Sequence, residues 1–439
     1  MGIFSSLNRD QKEAIGILQV GTLLEFFDLM LYVHMGEVLN ELFFPPTDPF
    51  TAKLISGITF CSIYICRPFG ALIFGYIGDN FGRKPTVIFT TMIMALTCAI
   101  MASAPTYVQI GITASFIVTA CRIVQGLCSM GEIIGAQIYL TEMIKPPARY
   151  AAVSCMVCGY GIGSFMALGV ASIVLSFGLG WRIAFCIGAL IALIGTVART
   201  ALSETPDFIN AKVKAQKIIK KLGGNLKKIE NNPMLNEKVD KKTSITHFFI
   251  QCGYPICFYF VYIYCGGVLK NEFNYNTTQI INNNLIVALV EFLGVVLVTY
   301  LSYKIHPLKI LKFRMTVFSV FILFLPHLLS TINSPFHVLL IQSFICLFIL
   351  NSTPADAVLF IHFPIFKRFT YISFMYALSR AGAYVISTLG FIYLVEKFGN
   401  YGILVIFVPI TINFIIGVLH FEKLEKMVGN YYPATSVAI

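Results

Sequence analysis

A chain of 439 residues that is 57% hydrophobic and only 12% charged, with a mean hydropathy of +0.79, lacks the charge to cover a water-facing surface, for which soluble domains use about 25%. Its main solvent is the bilayer. The net charge of +11 would point to nucleic acid if the lysines formed one face of a soluble fold, but they lie in short gaps between apolar runs and in one central stretch, so nucleic acid is excluded as a partner.

Arg9, Asp10, Lys12 and Glu13 lead into a first apolar run too long for a signal-peptide core, and the N-terminus is expected to stay in the cytoplasm. Runs long enough for a bilayer, about 20 residues each, are predicted near 14–36, 54–77, 86–104, 108–141, 151–177 and 182–202. They resume near 246–269, 280–302, 313–332, 335–361, 369–395 and 400–421. This divides the chain into an amino-terminal half over 1–202, a linker over 203–245, a carboxy-terminal half over 246–421 and a short tail over 422–439.

The linker is basic, with Lys212, Lys214, Lys217, Lys220, Lys221, Lys227, Lys228, Lys238, Lys241 and Lys242, and reads as cytoplasmic with some surface helix. The gaps holding Arg83 and Lys84, Lys145 and Arg149, Lys304 to Arg314, and Lys367 and Arg368 fall on the same side, which places both termini in the cytoplasm. The opposite gaps are poor in Lys and Arg and include Glu37, Glu41 and Asp48. The expected fold is all-α and integral to a plasma membrane, with twelve transmembrane helices in two pseudo-symmetric six-helix halves. Such halves describe a transporter that rocks about a site near the midplane, with a receptor or scaffold of the same helix count as the alternative. The twelve cysteines are scattered through apolar runs as small hydrophobes. Cys155 and Cys158 have CxxC spacing but no ligand partners nearby, and no metal is expected.

Charges inside the predicted spans carry the functional signal. Glu25 and Asp28, three apart in the first span, share one helix face; Arg67 lies in the second span, and Arg122 and Glu132 in the fourth. Each ionised group at a helix centre costs about 2.5–3.5 kcal/mol, so five left unpaired would total on the order of 12–17 kcal/mol. Pairing, water access or proton exchange must offset this. A structural ion-pair network that locks the first half is the plainer reading of each residue.

The most specific motif is Arg67-Pro-Phe-Gly-Ala-Leu-Ile-Phe-Gly-Tyr-Ile-Gly-Asp-Asn-Phe-Gly-Arg-Lys84. Gly75, Gly78 and Gly82 allow close helix approach and a tight turn, while Asp79, Arg83 and Lys84 supply ionic latches at the cytoplasmic edge. The stretch resembles the signature loop between the second and third helices of the major facilitator superfamily. A second match runs from Arg122 to Glu142, and a third is Leu24-Glu-Phe-Phe-Asp-Leu-Met-Leu-Tyr32 with Leu42-Phe-Phe-Pro45. Gly180-Trp-Arg-Ile183, Glu204-Thr-Pro-Asp207 and Phe363 to Tyr376 add to them. Together these look like the metabolite:proton symporter family, whose members carry proline and betaine, 2-oxoglutarate, citrate or shikimate; the proline/betaine branch is the nearest likeness.

The resemblance implies proton-coupled symport of a small zwitterionic or carboxylate solute. Asp28 and Arg122 occupy the positions where related proton symporters keep an acid and its arginine partner, with Glu25 beside them. Arg67, Glu132, Tyr32 and Tyr376 are expected to meet the solute, and Glu142 and Arg149 to extend the cytoplasmic gate formed by Gly75, Gly78, Asp79, Gly82, Arg83 and Lys84. Glu291, Asp356 and Arg380 are further charges within the second-half spans. A proton gradient would drive the cycle without a cofactor, and a monomer is expected to suffice.

No enzyme is expected, since the seven histidines form no catalytic or metal set. A solute-binding or sensing relative of the same fold, or a uniporter or exchanger, is the alternative. In the second half, Ser302-Tyr-Lys-Ile-His-Pro-Leu-Lys309 has lost the acid and glycine of the family's second loop, so that latch is expected to be absent, as is the long coiled-coil tail of the osmosensing type.

Overall fold

The computed structural model describes residues 7–45, 49–177, 180–221 and 237–431, and among these it forms helices and no strand. The first half consists of α1 (Arg9–His34), α2 (Pro49–Asn80), α3 (Arg83–Ser103), α4 (Ile112–Met143), α5 (Ala148–Ser176) and α6 (Trp181–Thr200). Asn8 starts α1 by accepting the Gln11 N–H at 2.8 Å while the Gln11 side chain reaches back to the Asn8 N–H, a capping box on a polar turn. Gly82 turns α2 into α3 at φ +129°, a left-handed backbone that a side chain would strain.

The second half consists of α7 (Lys241–Phe273), α8 (Thr277–Lys304), α9 (Pro307–Ser330), α10 (Pro335–Phe348), α11 (Arg368–Phe398) and α12 (Gly402–Val428). Within α7, Pro255 has no N–H to give the Gln251 carbonyl one turn earlier. Arg380 of α11 takes that carbonyl instead, and the chain passes through a π-helical turn over Tyr259–Tyr264. Eight stretches of the described residues are long and apolar enough to cross a bilayer, one of them, Arg368–Val428, holding both α11 and α12. In the linker a helix over Pro206–Lys221 buries Phe208, Ala211 and Ala215. Residues 222–236 of the linker, with Lys227 and Lys228, residues 432–439 of the tail, and Asp48 lie outside the described residues.

One predicted span is corrected. The tenth run, expected over 335–361, is helical only to Phe348; the chain then leaves the helix until a short turn over Asp356–Phe360. Pro354 accounts for the break, because it donates no hydrogen bond and pushes the residue before it out of the helical region. Irregular backbone at membrane depth needs partners from the protein. Arg314 of α9 donates to the Thr353 carbonyl at 2.9 Å, and Asn351 Oδ1 accepts the Thr353 N–H at 3.4 Å.

The packing repeats six helices on. In the first half α1 lies against α5, α2 against α4 and α3 against α6; in the second, α7 lies against α11, α8 against α10 and α9 against α12. Between the halves α2 packs on α11 and α5 on α8, a pair of contacts that the same six-helix shift exchanges. Leu72, Ile73, Leu193, Ile194, Leu323 and Leu389 are exposed, whereas Arg83, Arg122 and Arg199 are fully buried. Apolar outside and charged inside, the chain is a multi-pass membrane protein.

Candidate functional site

The intramembrane charges of the first half pair off. Arg122 Nη1 lies 2.7 Å from Asp28 Oδ2, and Gln125, one turn along α4, braces both: its Oε1 accepts from Arg122 at 2.7 Å and its Nε2 donates to Asp28 at 3.1 Å. The Tyr32 ring lies beneath the Arg122 guanidinium, 4.1 Å from centroid to carbon. Glu25, a turn before Asp28 on the same face of α1, meets Arg67 of α2 at 2.9 Å. Arg67 in turn lies over Tyr64, whose ring packs at 4.8 Å on Tyr384 of α11, so this pair reaches the second half.

Glu132 lies elsewhere. It accepts from Thr90 and Thr91 of α3, each at 2.7 Å, and from Arg199 of α6 at 2.6 Å, in a knot internal to the first half. Arg199 stands near the end of the sixth span in sequence. It is buried completely.

A cavity of about 390 Å³ lies between the halves. Phe26 and Met30 of α1, Tyr160 and Phe165 of α5, Tyr254, Phe258 and Tyr262 of α7, and Asn284 and Glu291 of α8 line it. Asn351 and Asp356 of the broken segment and Tyr376 and Arg380 of α11 complete the polar part. Of the residues expected to meet the solute, Tyr376 is in this lining, its ring 4.1 Å from the Arg380 guanidinium carbon. Arg67, Tyr32 and Glu132 are not among the described lining residues, nor are Glu25, Asp28 and Arg122, whose pairs sit behind the α1 face that presents Phe26 and Met30. A larger hollow of about 710 Å³, between the far ends of α7, α9 and α11, contains Glu272 but none of the buried ion pairs. The smaller cavity is the better candidate, because aromatic groups of both halves and the charged Glu291, Asp356 and Arg380 of the second converge on it.

At the basic end of the bundle the halves are latched. Both Asp79 oxygens accept backbone N–H groups that open α11, Phe369 at 3.0 Å and Thr370 at 2.9 Å, so a carboxylate of one half caps a helix of the other. Gly75 and Gly78 make room: a Cβ on Gly75 would stand 2.6 Å from the Thr370 Cα, and one on Gly78 would strike the Phe369 ring. Arg83 binds Glu142 with two nitrogens, at 2.9 and 3.0 Å, and donates to the Ile365 carbonyl across the interface at 2.7 Å. Arg368 joins Glu142 at 2.9 Å.

Glu204, read only as part of a motif, holds the Arg83 and Lys84 N–H groups at 3.0 and 3.2 Å; Lys84 thus serves through its backbone. Arg149 donates to the Ile144 carbonyl at 2.6 Å and meets none of the latch carboxylates. Ser154 and Thr299 bond at 2.8 Å across the α5–α8 contact.

The loop after α8 has no acid, as its sequence shows, yet the second half is tied here by α12. Glu425 meets His362 at 2.8 Å, with His306 3.5 Å from its other oxygen, and Glu422 meets Lys312 at 2.9 Å and Lys426 at 2.7 Å. The acids of this tie, Glu422 and Glu425, come from a helix more than a hundred positions beyond the loop, while His306 of the loop itself and Lys312 just after it take part.

Residues 20–386 match the sequence profile described as Major Facilitator Superfamily. The chain is 34% identical over 226 residues to the "Inner membrane metabolite transport protein YhjE" of Escherichia coli K12, a match covering 49% of this chain and 51% of that one. It is 31% identical over 204 residues to the "Proline/betaine transporter" of Salmonella typhimurium, covering 45% and 41%. These matches span about half the length of the curated relatives. Among solved structures, the proton:xylose symporter XylE bound to 6-bromo-6-deoxy-D-glucose aligns with a TM-score of 0.74 at 16% identity, over 94% of this chain and 95% of that one. The human organic anion transporter MFSD10 aligns at 0.67 and 12% identity, over 94% and 100%. At such identities the structural likeness shows the fold alone.

Proposed function

The chain belongs to the Major Facilitator Superfamily, a family of transporters rather than enzymes, and on that premise we propose that it is a secondary active transporter that couples proton movement to symport of a small zwitterionic or carboxylate solute by alternating access. The observation that carries this reading is the buried Asp28–Arg122 pair at 2.7 Å, braced by Gln125 behind the cavity wall. A proton arriving at such a pair removes the charge that holds the guanidinium and so frees the arginine. Arg122 then reorients, and α1 and α4 shift against the cavity. The Asp79–α11 cap and the Glu142 ion pairs act as the latch that this movement breaks and remakes.

Each 100 mV across the membrane supplies about 2.3 kcal/mol per proton charge, enough for on the order of fifty-fold accumulation. Two relatives with names referring to proline/betaine and metabolite transport support the solute class, and the inner-membrane name of one supports a bacterial inner membrane; the cytoplasmic placing of both termini rests on the basic gaps of the sequence alone. We take the monomer as the working unit.

The test is uptake into proteoliposomes with an imposed proton gradient. Asp28→Asn is expected to abolish uphill accumulation of labelled solute while keeping counterflow exchange. Accumulation by that variant would overturn the assignment of Asp28, and binding by the unaltered protein with no gradient-driven uptake would leave a binding or sensing protein instead.

A further inference from the structure

The acids inside the helices divide by what they face. Glu25, Asp28, Glu132 and Glu142 each lie 2.6–2.9 Å from an arginine. Glu291 does not: among the described residues no Lys, Arg or His nitrogen stands within 4.0 Å of it. Its two oxygens instead accept the hydroxyls of Tyr262 at 2.7 Å and Tyr254 at 3.2 Å, an arrangement that serves an ionised carboxylate, which only accepts. Held at the wall of a cavity in the depth of the membrane, that charge feels Arg314 only from beyond 4.0 Å and has room for a cation in direct contact.

The surroundings suit one. Tyr254, Phe258 and Tyr262 follow one another every four residues along α7, with ring centroids 6.0 and 4.8 Å apart, and all three line the cavity beside Glu291. Aromatic faces beside a carboxylate attract an alkylated or primary ammonium. The other acid of the lining, Asp356, accepts instead from Thr353 of the broken segment at 3.1 Å and from Gln251 at 3.5 Å. Arg380 is the one arginine in the described lining; its guanidinium lies 5.6 Å from the Tyr254 ring whose hydroxyl reaches Glu291. A negative pole and a positive pole thus share one tyrosine.

We propose that Glu291, with Tyr254, Phe258 and Tyr262, forms a subsite for a positively charged nitrogen of the solute, and that Arg380 takes the anionic group of the same molecule. This rests on the transport reading above and narrows the solute to one carrying a cationic centre.

The test compares two probes of the same shape, glycine betaine and 3,3-dimethylbutanoate, in which a neutral carbon replaces the quaternary nitrogen. Binding to the full-length protein is measured by calorimetry without a gradient. The unaltered protein is expected to favour betaine by at least about tenfold, Glu291→Gln to erase that preference, and Glu291→Asp to restore part of it.

Equal binding of the two probes by the unaltered protein, or binding of neither, overturns the subsite without recourse to any variant. A betaine preference that survives Glu291→Gln overturns the role of Glu291. Betaine binding with the expected preference but no accumulation under a proton gradient overturns the symport reading and leaves the subsite standing.

Discussion

Arg83 and Arg368, one from each half, share a single carboxylate oxygen: Oε1 of Glu142 lies 2.9 Å from a guanidinium nitrogen of each. Glu142 bridges the two buried cations, and among the described residues only Arg83 has a second acid near it, Asp79 at 3.5 Å, so the closure of the basic end depends on the charge of Glu142. Thr205 holds its other oxygen at 2.7 Å.

Glu142→Gln removes that charge and leaves both guanidiniums facing each other. Breaking a buried pair in this way destabilises the paired state by about 3–5 kcal/mol. The latched arrangement should give way to one in which α2 and α11 part at this end. Spin labels at the exposed Asn80 and at Lys367 are expected to report a longer distance in the variant than in the unaltered protein. An unchanged distance would mean that the Asp79 cap alone closes the end.

Gly75 and Gly169 should respond oppositely to a side chain. A Cβ on Gly75 would press on the Thr370 backbone, whereas one on Gly169 meets nothing within 4 Å. Gly75→Val forces α2 from α11 and should destabilise the latched state by about 1–3 kcal/mol, read as a lower thermal midpoint and a longer Asn80–Lys367 distance. Gly169→Ala should be neutral or slightly stabilising, by up to about 1 kcal/mol, because it removes helix-interior glycine freedom without a clash. A matching loss in both variants would count against the close-approach argument.

Glu132 sits in a knot of Thr90, Thr91 and Arg199 that spans α3, α4 and α6. Glu132→Gln leaves Arg199 buried without its counter-charge and should lower stability by about 3–5 kcal/mol, while Glu132→Gln with Arg199→Met should recover much of the loss. Thermal unfolding of the purified variants decides between packing and solute contact. A Glu132→Gln protein with an unchanged midpoint but no solute binding would restore the solute-contact role expected from sequence.

How much of this was legible follows from where each constraint resides. The charged positions of α1, α2 and α4 could be read because a charge inside a twenty-residue apolar run stands out against its neighbours. Which acid meets which arginine could not, since Glu25 and Asp28 share a face and the choice between Arg67 and Arg122 is made by how α2 and α4 pack on α1. The Asp79 and Arg83 loop was readable as a latch, but its partners, the N–H groups that open α11, are backbone and leave no residue signature.

The burial of Arg199 leaves no mark in the sequence, because a cation near a span end ordinarily snorkels to the surface. The break after α10 was hidden by apolar residues on both sides of it. Asn351-Ser-Thr-Pro354 was the available signal. The Glu422 and Glu425 ties come from a distant helix and have no local motif at all.

That break also exposes its own support to a test. Arg314 is buried and donates at 2.9 Å to the Thr353 carbonyl, a group that the interrupted helix leaves without an internal partner. Arg314→Met should orphan the carbonyl at membrane depth and destabilise the protein by about 1–3 kcal/mol. Thr353, Asn351 and Asp356 all line the cavity, so a loosened segment should also weaken solute binding several-fold. The latch lies at the basic end and shares none of these contacts, so the Asn80–Lys367 distance should not change. A drop in thermal midpoint together with weaker binding and an unmoved latch would place the segment in the wall of the solute site; a drop in midpoint alone would make Arg314 a prop for the fold and remove the broken segment from the binding surface.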